Sequence, residues 1–384
     1  MDKALSGMRV VECCDGLGAY AGKLLADLGA EVIKVEPPGG CRERHMPPMV
    51  QDRDGRSHSL FFAFMGSNKR SVCIDNSKAA DIVLLERLVA RADVLLENPP
   101  HGVAAGKSHP GLIRVTLTAF GHSGAHAHWQ GSDLVAWASS GALATNGDPD
   151  RSPVMPAGLL MLAETMASIN AAAGALLAWR ARRLFGMGQH VEISVQEAAL
   201  AVSCEVGLPL ILDDLMVWPR QGNRRPMVRP FGLYPTQDGW ASIVVIQPQH
   251  WQAWAAWLKE RCQIEEASDP QYQELMGRIM NLDLMDCWTE QLSCSYTKQA
   301  LFEEGQRRGV PITPVNAIED ILGDRHLAQR GFWATLAHPM LGDLRLPGMP
   351  YRLSATPGEV GLAPELDADH DALAEILTSN AISG

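Results

Sequence analysis

Leu24-Leu-Ala-Asp-Leu-Gly-Ala-Glu-Val-Ile-Lys-Val-Glu-Pro37 changes its periodicity halfway along. Up to Leu28 it continues a helical pattern that begins at Ala19. Gly29 stops that helix, because glycine accepts the left-handed backbone of a helix end without steric cost. Glu31–Val35 is then dense in β-branched residues and reads as a strand. Upstream, Met8–Glu12 is a short apolar run, and Gly16-Leu-Gly18 links it to the helix. Strand, glycine turn, helix and strand in that order form a βαβ unit, the building block of a parallel sheet.

The pattern repeats outward from there. Ser71–Ile74 is a strand candidate, Ala79–Ala92 a helix, and Val94–Leu96 and Ile113–Leu117 two further strands. A long helix over about Gly158–Arg182 follows, then a turn at Gly186-Met-Gly-Gln189 and a strand at His190–Val195. The expected fold is α/β with a mainly parallel, doubly wound sheet. The middle of the chain differs. Pro219–Pro235 is rich in Arg, Pro and Gly and reads as a mobile loop. Trp240–Ile246 is a strand, and amphipathic helices carrying Trp251, Trp254, Trp257 and Trp288 follow. Strand signals return at Phe332–Ala337 and Leu344–Leu346, and a helix is expected at His370–Thr378.

Composition narrows the function. The 384 residues carry a net charge of −11, so no basic surplus is available for nucleic acid. The eight cysteines include no Cys-x-x-Cys pair, which disfavours a zinc site or a disulfide frame and fits reduced cytosolic thiols. No metal is expected. Gly158–Trp179 is long enough to cross a bilayer. It is Ala-rich and carries Glu164 and Asn170, so a buried helix of a soluble, cytoplasmic protein is the better reading.

Glu164 is the one charged side chain between Pro156 and Trp179. A carboxylate in such a stretch must be paired, neutralised or used. An acid near a helix start, held by backbone N–H groups, is the structural alternative. Gly16-Leu-Gly18 can offer N–H groups to a phosphate or simply make a tight turn. Asn68-Lys-Arg-Ser71 can hold an anion or carry solvated charge. Asp133 can act as a catalytic carboxylate or cap the helix Leu134–Ala138. The arginines and Gly222 of the Arg220–Arg229 loop can form a lid over an anionic substrate or lie in solvent. Trp129, Trp137, Met216 and Trp218 can line an aromatic pocket or belong to the core.

Taken together, the chain resembles the class III (CaiB/BaiF) coenzyme A transferases. The resemblance rests on Leu24–Pro37, Asn68-Lys-Arg-Ser71, Ala92-Asp-Val-Leu-Leu-Glu-Asn98, Gly131-Ser-Asp-Leu134, Gly186-Met-Gly-Gln-His-Val191, Arg220-Gln-Gly-Asn223 and Gly309-Val-Pro-Ile-Thr-Pro-Val315. It implies a Rossmann-like large domain built from both chain ends (1–200 and 325–384), a smaller middle domain (215–315) and an interlocked, ring-like dimer. Coenzyme A or acyl-CoA would be the substrate. Its contacts would be Gly16 and Leu17, then Ile74, Asp75, Asn76 and Ser77, then Asn98, Pro99 and Pro100, and finally Ser132 and Asp133.

The family's nucleophile is an Asp at the start of the long helix, and this chain has Glu164 there. The segment between Gly102 and Ile113 is short and lacks the family's cofactor-holding Arg, leaving Lys107 as a substitute. Asp367-Ala-Asp-His370 replaces the family's Gly-Glu-His-Thr. The implied activity is transfer of coenzyme A from an acyl-CoA to a carboxylic acid through a carboxylate-bound anhydride and thioester. The partners would be those two substrates and either an identical chain or a related one, with no nucleic acid and no membrane. Three alternatives stand beside it. They are a non-catalytic or assisting subunit of a heteromeric transferase, an acyl-CoA racemase or isomerase of the same superfamily, and a CoA-binding protein without turnover. Racemases resembling this family carry His where this chain has Ser132, which argues against the second.

Overall fold

The computed structural model describes residues 2–98, 109–155, 161–203, 220–224 and 228–373, together with Leu212 and Leu377. The chain forms two compact units. The first comprises Met1–Ala142, Pro156–Glu205 and Arg325–Gly384, and the second Leu143–Met155 and Val206–Asp324.

The first unit is α/β. Its central sheet uses β1 (Arg9–Cys13), β2 (Glu31–Glu36), β5 (Arg70–Cys73), β6 (Val94–Glu97), β7 (Ile113–Thr118) and β8 (His190–Ser194). A short hairpin, β3 (Met49–Gln51) and β4 (Ser57–Ser59), precedes β5. The sheet order is β5-β2-β1-β6-β7-β8, and every neighbouring pair is parallel. Such strands are buried on both faces and therefore read as continuous apolar runs; all of β1 and all of β6 are buried.

The helices are α1 (Ala19–Asp27), α2 (Leu60–Met65), α3 (Ala79–Val89), α4 (Asp133–Ser139), α5 (Leu162–Phe185) and α6 (Val195–Ser203). α3 buries Leu85, Leu88 and Val89 against Val11, Ile33, Val72 and Leu95 of the sheet. α5 presents a stripe of small residues inward (Ala163, Ala167, Ala171, Ala175 and Ala178). It ends where expected, at a left-handed Gly186. Residues 158–160, expected in its first turn, lie outside the described residues, and the observed helix runs three residues past Arg182. At the C-terminus the expected helix begins late. His370 lies in a turn with Nδ1 3.1 Å from Asp367 Oδ1, and helical backbone appears at Leu373.

The second unit packs an antiparallel sheet of Phe231–Thr236, Gly239–Val244 and Ile312–Pro314 with helices that include Pro248–Cys262, Leu282–Ser293 and Lys298–Arg308. Trp251, Trp254, Trp257, Trp288, Tyr234 and Tyr272 fill its core. Trp254 and Trp257 meet edge to face at 5.5 Å, as do Tyr272 and Trp288 at 5.4 Å. No described helix is long and apolar enough to cross a membrane.

Candidate active site

In open parallel sheets, ligands bind beyond the carboxyl ends of the strands, where the strand order reverses. Here β1 leads to β2 and β5 on one side while β6 and β7 lie on the other, so the reversal falls between β1 and β6. The turn after β1 holds Gly16 at φ 84° and Gly18 at φ 96°. Gly18 is required twice over. Its backbone is left-handed, and a Cβ there would come 2.7 Å from Cys14 Sγ. Asn98, at the end of β6, spans the reversal point. Its Oδ1 accepts from Asp15 N–H at 2.9 Å and its Nδ2 donates to Asp15 O at 3.4 Å.

A buried charge cluster fixes this turn from beneath. Lys34 Nζ lies 2.9 Å from Glu12 and 3.0 Å from Glu43, and Lys69 Nζ lies 2.7 Å from Glu12. All four side chains are almost wholly buried. Each ammonium also donates to the turn's backbone. Lys34 reaches Cys14 O at 3.1 Å and Lys69 reaches Ala19 O at 2.8 Å. Buried charges persist only when paired and hydrogen-bonded, and here that pairing determines where the turn lies. Of the two readings of the Asn68-Lys-Arg-Ser71 stretch, Lys69 is not a solvated charge; the anion it holds is the chain's own Glu12 carboxylate. Arg70 is also engaged, 3.4 Å from Glu31.

Glu164 occupies the third position of α5. Met161 precedes the helix with left-handed backbone (φ 35°) and offers no capping oxygen. The cap comes from outside, as Asp133 Oδ1 accepts the Glu164 N–H at 3.1 Å. Asp133 therefore does not cap its own helix; Ser132 does, accepting from Val135 N–H at 3.4 Å. Of the first N–H groups of α5, that of Glu164 is thus committed, while those of Leu162 and Ala163 make no hydrogen bond among the described residues. Glu164 Oε2 is buried and has no partner there. Burial raises the Glu164 pKa, the Asp133 carboxylate raises it further, and the Arg42 guanidinium opposes both. The two thiols that lead into the β1 turn are buried. Burial pushes Cys13 up to about 12 and Cys14 well above its usual value.

The remaining candidates differ in what they have free. Leu17 is half-buried in the β1 turn. Ile74 is in the hydrophobic core. The Asp75 carboxylate accepts from both the N–H and the hydroxyl of Ser77, closing a local turn, and Asn76 stands exposed at its tip. Pro99, Pro100 and Lys107 lie outside the described residues, as do Met216 and Trp218. Trp137 is in the core, whereas Trp129 is exposed and stacks on His126 at 3.9 Å. Asp367 and Asp369 are bound to the β5 edge, accepting from Cys73 N–H at 2.7 Å and Ser71 N–H at 2.9 Å.

The expected mobile loop Pro219–Pro235 ends in strand instead. Its described arginines face inward: Arg224 pairs with Asp286 and Glu290 and lies over the Tyr234 ring, and Arg229 pairs with Asp286. Arg220 donates to the carbonyls of Ala144, Asp148 and Arg151. A lid reading needs free cations, and these three are spent within their own unit.

Sequence reasoning passed over Arg42. The signal was present in Gly39-Gly-Cys-Arg-Glu-Arg-His45, a charged run directly behind a glycine pair after a strand.

Comparison with known proteins agrees with this layout. The family model described as CoA-transferase family III matches residues 5–370. The alpha subunit of succinyl-CoA–L-malate CoA-transferase from Chloroflexus aurantiacus is 29% identical, over 98% of this chain and 90% of that protein. Succinyl-CoA–D-citramalate CoA-transferase from the same organism is 32% identical, over 93% and 90%. A solved CAIB/BAIF family protein from Brucella suis superposes with a TM-score of 0.85 at 26% identity, covering 98% of this chain and all of that one. The chain belongs to CoA-transferase family III, the CaiB/BaiF family, and is a CoA-transferase.

Proposed function

We propose that Glu164 is the nucleophile that carries coenzyme A between acids. The observation that carries this reading is its Oε2, buried and without a hydrogen-bond partner among the described residues, in the first turn of a 24-residue helix. Glu164 attacks the acyl-CoA thioester carbon, the C–S bond breaks, and CoA thiolate leaves a mixed anhydride. The thiolate attacks the glutamyl carbonyl and expels the donor acid as its carboxylate, forming a glutamyl-CoA thioester. The incoming carboxylate attacks that thioester and releases thiolate again. Thiolate attack on the acyl carbonyl of this second anhydride gives the product acyl-CoA and regenerates Glu164. The N–H groups of Leu162 and Ala163, without hydrogen-bond partners among the described residues, would meet oxyanion charge.

Coenzyme A would lie across the carboxyl ends of the strands, contacting the Gly16–Leu17 turn, Asn76, and the segments at Asn98 and Ser132–Asp133. Relatives bear the names of succinyl-CoA and dicarboxylic acids, which makes succinyl-CoA the first donor to test. A large domain built from both chain ends and a smaller middle domain, in an interlocked dimer, complete the proposal. The exposed apolar side chains Ile169, Leu177, Leu184 and Phe185 of α5 support a second chain there.

The test is Glu164→Gln, which keeps shape and removes the nucleophile. Transfer should fall by about a thousandfold or more, with an unchanged circular dichroism spectrum; transfer at the wild-type rate would sink the assignment. Two observations favour a second reading, an assisting subunit. Some relatives are named as subunits, and the Asp133 carboxylate works against ionisation of Glu164. Transfer that appears only when a related chain is added would favour it.

A further inference from the structure

Asp133 serves two helix starts at once. It is the first residue of α4, and its carboxylate reaches across to α5, where Oδ1 accepts the Glu164 N–H at 3.1 Å. The first turn of a helix leaves N–H groups without intrahelical partners, and a side-chain oxygen just ahead of the helix normally takes one of them. α5 has no such oxygen of its own. Met161 precedes it in left-handed backbone, φ 35°, which residues other than glycine keep only when their surroundings hold them there. From within the helix, Met161 O accepts the Thr165 N–H at 2.8 Å. The Asp133 bond holds the same turn from outside. The base beneath Asp133 is itself fixed. Ser132 caps α4, accepting from Val135 N–H at 3.4 Å. Gly131 packs so closely on the residue after β7 that a Cβ there would lie 2.2 Å from the Ala119 Cβ. Ala136 and Trp137 are buried, and α4 packs against α5 and α6.

We propose that Asp133 is a positioning residue for coenzyme A transfer: by taking the Glu164 N–H it fixes the first turn of α5 and so sets where the Glu164 carboxylate lies. The inference rests on the nucleophile reading above. The bond takes the third N–H of the helix. It leaves those of Leu162 and Ala163, which have no hydrogen-bond partner among the described residues, for the oxyanion formed as Glu164 attacks. Without it the turn hangs on its own left-handed Met161, and a shift of about 1 Å in a reacting group costs about a hundredfold in rate. The arrangement has an electrostatic penalty, because a carboxylate in the cap opposes ionisation of Glu164 while the Arg42 guanidinium favours it. An amide in the same place keeps the acceptor oxygen and drops the charge, so the hydrogen bond and the charge of Asp133 can be separated.

Acetyl-, succinyl- and benzoyl-CoA are screened on the wild type by hydroxylamine capture at Glu164, and the one that labels it is used throughout. In Asp133→Ala the single-turnover rate of capture should fall about a hundredfold, while the acyl-CoA dissociation constant stays within about twofold. Asp133→Asn, which still offers a capping oxygen, should recover most of that rate at neutral pH and carry the acid limb of its pH–rate profile to lower pH. If Asp133→Ala does not fold, Asp133→Ser, whose oxygen is one bond short of the Glu164 N–H, takes its place with the same expected loss. A lower melting temperature with the rate per folded molecule unchanged would overturn the inference while leaving Glu164 as nucleophile. So would a loss that tracks weaker acyl-CoA binding, which would give the side chain to the coenzyme. An Asp133→Asn variant as slow as Asp133→Ala would overturn it too, since the charge and not the hydrogen bond would then be essential. A wild type that captures no acyl group on Glu164 would overturn both readings together.

Discussion

The two units differ in what they bury beside their aliphatic residues. The second unit packs Trp251, Trp254 and Trp257 at zero exposure with Tyr234 and Tyr272, large rings whose burial supplies stability without dictating where any one backbone atom lies. The first buries Glu12, Lys34, Glu43 and Lys69 beneath the β1 turn. Buried charges cost desolvation that apolar residues do not. What they give in return here is position: two lysines hold the carbonyls of Cys14 and Ala19 at either end of the glycine turn. The charged interior is next to the candidate chemistry, and the aromatic interior belongs to the other unit.

The sharpest way to break this contrast is Lys34→Met. It strands Glu43 without its cation, leaves Glu12 with Lys69 alone, and should cost about 3–5 kcal/mol in denaturant unfolding, together with acyl-CoA binding. A small loss with binding intact would mean that the charges do not position the turn. Gly18→Ala comes next, at about 1–3 kcal/mol, because the left-handed backbone and the Cys14 sulfur both oppose a Cβ. Trp254→Phe in the aromatic interior should cost only about 1 kcal/mol, measured in the same way. It leaves a cavity, but it also removes an indole N–H that is buried without a partner among the described residues. A cost matching that of Lys34→Met would erase the distinction.

The smallest effect is one of pH. Glu164 has a folded-state pKa raised by burial and by Asp133. The stability this contributes is therefore present at low pH and is lost as pH rises through the raised value. On the proposed mechanism activity runs the other way, since only the carboxylate attacks. The pH–rate profile should fall off on the acid side above the ordinary glutamate range. Asp133→Asn should move that limb to lower pH and Arg42→Gln to higher pH.

The parallel sheet was legible because βαβ units alternate periodicities over short distances, and Gly16, Gly18, Gly29 and Gly186 fall where the chain turns. Glu164 was legible because it interrupts an apolar run. Partnerships across the fold were not legible. Nothing local shows that Asp133 caps α5 rather than α4, since the two residues are 31 positions apart. Lys69 and Glu12 are likewise joined only by the folding of α1 over the sheet. The loop reading of Pro219–Pro235 failed because proline, glycine and arginine look solvated in sequence, whereas Arg224 and Arg229 find Asp286 about sixty residues onward. The anchoring of the backbone around Arg42 was not legible either, because a charge adjacent to other charges looks like surface, and only the fold brings Asp15 and Lys34 to hold Arg42 and Glu43.

The central claim is that Glu164 carries the transferred group. Incubating the protein with succinyl-CoA, quenching with hydroxylamine and sequencing peptides by mass spectrometry tests it directly, because hydroxylamine captures both an anhydride and a thioester at that carboxyl. A hydroxamate on the Glu164 peptide, absent from Glu164→Gln, is the predicted result. An unmodified Glu164 in protein that still binds coenzyme A and turns over succinyl-CoA would contradict it.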